Sequence, residues 1–168
     1  MKEAAAMESV KIITFQTRME AFCVLGSETP LREGTDFAAL WDSFFQKGGY
    51  GCIDPFAADP ACVNVWHTSG GQPFYLQGKI VCEEAVAPPG YVLNRFPAGE
   101  YLVVTTGWLP TYEASMQHIH HDYYRSAPVP EGYRNHPESE DGVFLMERWG
   151  AETKDGFRYE FWLPIEKI

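Results

Sequence analysis

The chain has 168 residues, 45% of them hydrophobic and 15% aromatic, enough to bury the core of one domain. Its 23 acidic and 13 basic side chains give a formal net charge of −10, and the basic ones form no cluster; this argues against direct nucleic-acid contact and favours a cationic partner. No stretch reaches the ~18 apolar residues of a membrane helix and the start has no apolar signal core, which predicts a loose tail at 1–9, then a single cytoplasmic domain at 10–168 with no membrane association.

Residues 10–18 alternate as a strand, and residues 21–25 are a fully apolar second one that should begin the sheet beside it. Thr35 is placed to cap a helix whose inner stripe is Phe37, Leu40, Trp41 and Phe44, at i, i+3, i+4 and i+7. Gly48 and Gly49 end that helix, and residues 50–60 read as loop. Residues 62–67 and 74–82 form a hairpin around a Gly-rich turn. Pro88 and Pro89 mark a short joint, after which residues 91–96 and 101–106 are strands separated by Pro97, Ala98 and Gly99. A second helix follows, with Thr111 as its cap and Tyr112, Met116, Ile119 and Tyr123 as its stripe. Residues 128–140 are a polar, proline-containing excursion long enough for a lid or an interaction loop, and residues 143–149 and 157–165 are the closing strands.

This order of elements is written twice. Matching positions differ by a nearly constant offset (143 − 63 = 80, 145 − 65 = 80, 107 − 26 = 81), which divides the chain into halves at about 10–84 and 85–168. The fold class that follows is α+β: a tandem pseudo-twofold pair of strand-helix-strand-strand modules in one mostly antiparallel sheet, with both helices on one face and a ligand cleft at the junction.

The cleft's chemistry should come from the strand at 143–149. Alternation puts Val143, Leu145, Glu147 and Trp149 on one face and Phe144, Met146 and Arg148 on the other. An inward Glu147 would be a carboxylate in an apolar cleft in need of a cation, whereas the reverse phase would pair it with a surface base; both faces are apolar enough to leave the choice open. His67 holds the equivalent position in the first half (147 − 67 = 80), which predicts it near Glu147, against the plainer role of a structural histidine. Phe161 shares a face with Tyr159 and Leu163 and is either a wall of the cleft or ordinary core. Trp108, Tyr112 and Trp149 could present aromatic faces to an organic cation, while Trp41 belongs to the helix stripe.

Other chemistry finds little support. His118, His120 and His121 crowd one helical turn but have no partners at metal-ligand spacing, so no metal and no cofactor is expected. Cys23, Cys52, Cys62 and Cys82 form no CxxC pair and read as free thiols. Neither a nucleophile elbow nor a phosphate-binding glycine loop is present.

Three segments resemble the GyrI-like, or AraC-type effector-binding, domain family. Residues 96–104 (FPAGEYLVV) resemble its PAGxYAV strand, residues 144–149 (FLMERW) its FExY strand, and residues 159–165 (YEFWLPI) its terminal xEIYLPI strand. The resemblance implies a central cleft for lipophilic, often cationic compounds, with Glu147 as the charged contact, and a stand-alone sensor or sequestering protein without a DNA-binding domain. It also brings two alternatives. Some stand-alone relatives hydrolyse cyclopropane-bearing genotoxins, for which Glu147 would be the catalytic base, and the family's namesake acts on DNA gyrase, which would make the acidic surface a contact for a protein partner or a second copy.

Overall fold

In the computed structural model, residues 12–111, 114–115, 127–150 and 156–168 are described, and the strands among them join one antiparallel sheet. They are β1 (Ile12–Met19), β2 (Phe22–Pro30), β3 (Cys62–Ser69), β4 (Gln72–Val81), β5 (Val92–Phe96), β6 (Gly99–Thr106), β7 (Tyr133–Asn135), β8 (Gly142–Trp149) and β9 (Glu160–Lys167). Helix α1 (Phe37–Gln46) follows β2, and two 3₁₀ turns, Gly49–Cys52 and Asp54–Phe56, lead into β3. The class is α+β.

The sheet runs β1-β6-β9-β8-β3-β4-β2-β5, with β7 added to β9. The first two strands therefore do not pair, contrary to the reading that they begin the sheet together: β1 lies on β6, and β2 lies between β4 and β5. Only Glu20 and Ala21 separate β1 from β2, and only Pro97 and Ala98 separate β5 from β6, although each pair occupies opposite ends of the sheet. Three chain steps reach about 11 Å at most, so these two links draw the ends together and the sheet must curl.

The inside of the curl is apolar. Phe22, Val65, Leu76, Phe96, Val103 and Met146 form one buried cluster, with the rings of Phe22 and Phe96 5.4 Å apart. Gly26 on β2 faces Gly78 on β4, where a Cβ would stand 2.3 Å from the Gln77 carbonyl oxygen or 2.1 Å from that of Leu25. The two backbones approach as only glycine allows. Gly78 is thus spent on strand packing.

On the outer face the apolar surface divides. Cys23, Leu25, Phe44, Ile53, Val81 and Tyr91 pack beneath α1 and the 3₁₀ turns, while Leu102, Val104, Tyr159, Phe161, Leu163 and Ile165 form a second cluster on β6 and β9. Between them lie β3, β4 and β8, whose outward side chains include the polar and aromatic Asn64, Trp66, Tyr75, Gln77, Glu147 and Trp149.

Helix α1 begins one residue later than its sequence suggests. Asp36 accepts the Ala39 N–H at 3.2 Å and is the N-cap, because the Thr35 hydroxyl is engaged with the backbone of Arg32 in the preceding turn. The excursion at 128–140 is tied down by β7 on β9 and by the His136 N–H donated to the Pro164 carbonyl at 3.0 Å, so as a lid it would have to break strand pairing. Ala114 and Ser115 are helical, and Ser115 accepts the Tyr159 N–H at 3.0 Å. The rest of the expected second helix, with Tyr112 and His118, His120 and His121, lies outside the described residues. No helix among the described residues is long and apolar enough to cross a membrane. All four cysteines are free.

Candidate functional site

The phase of β8 puts Glu147 on the outer face. Its Cα partners are Asn64 on β3 and Phe161 on β9, so the three side chains stand on the same side of the sheet. Leu145 pairs with Trp66, but the next pair is His67 with Val143, which makes Phe144 an inserted residue. This bulge corrects the expected alternation: Leu145, Glu147 and Trp149 stay outward, and Val143 turns into the inner cluster.

Glu147 is 7% exposed. One carboxylate oxygen accepts the Trp66 indole N–H at 2.6 Å, and the other accepts the Tyr159 hydroxyl. Ordering a buried carboxylate in this way offsets part of a desolvation cost of several kcal/mol. Both donors are neutral, and together they fix the orientation of the carboxylate. Burial, and then the Glu147 charge, push Tyr159 and Tyr75 well above the ordinary tyrosine range, which keeps both hydroxyls protonated at neutral pH.

Aromatic rings from α1, from β3, β4 and β8, and from Tyr159 just before β9 cluster around this carboxylate. Trp149 stacks on Tyr159 at 5.5 Å, and Trp41 of α1 meets Trp149 edge-on at 6.1 Å. On the other side Phe37 of α1 lies 5.4 Å from Trp66 and 5.3 Å from Tyr75, with Trp66 and Tyr75 4.7 Å apart. Trp66 and Trp149 are half-buried and Phe37 is exposed, so the aromatic cluster around the carboxylate reaches the surface. A negative charge beside partly exposed aromatic rings suits a flat or lipophilic cation.

Of the residues picked out in the sequence, Glu147, Trp149 and Phe161 come together here, Phe161 as a fully buried side chain against Tyr159. His67 does not join them. It lies on the inner face, bonded to Glu28 at 3.0 Å and stacked on Phe74, because strand alternation turns it away from Trp66. Trp108 serves another groove, where Arg158 sits 4.7 Å over its ring beside Phe15, Arg148 and Trp162. Tyr112 lies outside the described residues.

Nothing in the sequence marks Trp66, Tyr75, Tyr159 and Phe37 as site residues, and Trp41 reads there mainly as packing. A two-residue alternation did link Tyr159 to Phe161, but Trp66 could be placed against Glu147 only once β3 and β8 were known to be neighbours. Among the described residues, His136, Glu140 and Glu166 bring potential metal-ligand atoms within 4.8 Å of one another. The His136 ring already contacts the Asp141 carbonyl at 2.8 Å, and Arg134 pairs with Glu166 at 2.9 Å, so this group is satisfied as an ion-pair cluster.

Neither a protein-family model nor a curated protein matches the chain. Solved structures do. SAV2435 bound to tetraphenylphosphonium superposes with a TM-score of 0.66 at 12% identity, over 92% of this chain and 94% of that one. A candidate bacterial transcription regulator from Staphylococcus aureus MU50 gives 0.61 at 12% identity, covering 93% and 99%. EcmrR in its complex with DNA gives 0.59 at 11% identity, covering 94% of this chain and 58% of that one. The chain shares their fold. That fold agrees with the effector-binding resemblance carried by residues 96–104, 144–149 and 159–165.

Proposed function

We propose that the chain binds lipophilic, aromatic organic cations in the cleft over Glu147, as a sensor or a sequestering protein. The observation that carries this reading is the buried Glu147 carboxylate, held by Trp66 and Tyr159 inside a ring of aromatic side chains. A solved structure of the same fold holds tetraphenylphosphonium, a lipophilic cation, and the acidic surface of this chain favours the approach of positive charge. The location of the cleft at the β3–β8 seam also supports reading the chain as two related halves, since these are equivalent strands in the repeat.

Titration with tetraphenylphosphonium, followed by tryptophan fluorescence, tests the reading against triphenylphosphine oxide, a neutral compound with the same kind of phenyl groups. The cation should quench and saturate at one equivalent while the oxide binds at least 10-fold more weakly. Equal affinities would remove the role of Glu147. Turnover of a cyclopropane-bearing electrophile beyond one equivalent would instead favour hydrolysis with Glu147 as the base.

A further inference from the structure

The ladder that sets Glu147 beside Asn64 continues across the sheet. Asn64 pairs with Gln77 on β4, and Gln77 pairs with Ser27 on β2, so Glu147, Asn64, Gln77 and Ser27 form one row on the outer face. Lys47 closes the row by donating to the Ser27 hydroxyl. A row of polar side chains between two apolar clusters is an unusual use of the base of a sheet.

Two members of the row are left incomplete. Gln77 is 0% exposed and neither its amide oxygen nor its amide nitrogen has a hydrogen-bond partner, and the Asn64 amide oxygen, in a residue 2% exposed, has none either. Buried amides are ordinarily paired, and an apolar side chain of similar shape would be the cheaper choice if this were only core. Gln77 stands two strands from Glu147, about 10 Å along the ladder. That separation is close to the length of a three-ring aromatic system.

We propose that Gln77 and Asn64 form a hydrogen-bonding subsite at the base of the Glu147 cleft, so that the chain selects flat cations carrying an N–H group at the end remote from Glu147 over cations that cannot donate. The inference deepens the proposed function and rests on it. Gln77 and Asn64 offer acceptor oxygens for the remote N–H, the Gln77 amide nitrogen can donate to a ligand acceptor, and Lys47 beyond Ser27 sets the direction by repelling the charged end. Asn64 and Gln77 are buried, so access to the row requires side chains on the outer face to part.

Proflavine and acridine orange provide the test. They share one tricyclic cation, but methylation of both amines removes the terminal N–H donors of acridine orange. The wild-type chain should bind proflavine at least 10-fold more tightly than acridine orange. In Gln77→Met, and separately in Asn64→Leu, that ratio should fall at least 5-fold through weaker proflavine binding, and the unliganded Gln77→Met chain should melt at the same temperature or higher, since it loses an unpaired buried amide. A ratio that stays within twofold of wild type in both variants overturns the subsite, as does a wild-type ratio near one. If both dyes bind and both lose affinity in Glu147→Gln while the ratio ignores Gln77 and Asn64, the subsite fails and the cation cleft survives. If Glu147→Gln changes neither affinity, the cleft reading itself has failed and the subsite falls with it.

Discussion

Replacing Glu147 with Gln isolates charge from shape. Trp66 can only donate its indole N–H, so the new amide oxygen must face it, and the amide nitrogen then faces Tyr159, whose hydroxyl rotates from donor to acceptor. Both of these hydrogen bonds have a replacement, so the variant should keep its fold, with a melting temperature within a few degrees of that of the wild type. Binding should suffer. A monovalent cation about 4 Å from the carboxylate, at an effective dielectric near 20, gains about 4 kcal/mol, and desolvation of the two ions leaves about 2–3 kcal/mol of it. The expected loss for tetraphenylphosphonium is therefore about 30- to 150-fold, read by isothermal calorimetry at constant salt. Triphenylphosphine oxide, which has no charge to lose, should change by less than about threefold. A loss under about threefold for the cation, or an equal loss for cation and oxide, would refute the argument that the carboxylate recognises charge.

Tyr159→Phe keeps the stacked ring against Trp149 but removes one donor to Glu147, and should weaken cation binding by about 3- to 10-fold through misorientation of the carboxylate, measured in the same titration. Alkaline pH should unfold the chain: burial raises Tyr101 to about 12 and raises Tyr75 and Tyr159 further, so stability present below the unfolded tyrosine value near 10 is lost as pH rises through and beyond it, by about 1.4 kcal/mol per pH unit for each tyrosine. Tyrosinate absorbance should then develop together with loss of circular dichroism; smooth ionisation of all tyrosines near pH 10 with the fold intact would contradict this. Gly78→Ala should cost at least about 3 kcal/mol in urea denaturation, because its Cβ meets the Leu25 carbonyl oxygen at 2.1 Å, whereas Gly99→Ala, with nothing within 4 Å, should stay within about 0.5 kcal/mol. Phe44→Ala, at the fully buried contact between α1 and the sheet, should cost about 3–5 kcal/mol in the same assay.

Local periodicity was enough to place most of the strands, though not β7 within the 128–140 excursion or the second half of β2, and also the helix stripe of Phe37, Trp41 and Phe44 and the face shared by Tyr159, Phe161 and Leu163, since each of these depends on the 3.6- or 2-residue repeat of a single element. An acid among apolar neighbours also marked Glu147. What periodicity could not supply is which strand lies beside which. The neighbours of Glu147, namely Asn64 on β3 and Phe161 on β9, come from segments 83 and 14 residues away (147 − 64 and 161 − 147), and a pairing at that distance is decided by how the whole sheet buries its two faces. The swap that puts β1 on β6 and β2 beside β5 has the same origin: a two-residue link permits a hairpin, but curling the sheet brings Phe22, Phe96 and Val103 into one buried cluster. One inserted residue, Phe144, was enough to turn Val143 inward while Glu147 stayed outward, and His67 went to the inner face by alternation from Trp66. The sequence thus determined the chemistry available to the cleft, an acid and many aromatic rings. Tertiary pairing decided which of them meet, because a side chain's face is a local property and its neighbours across a sheet are not.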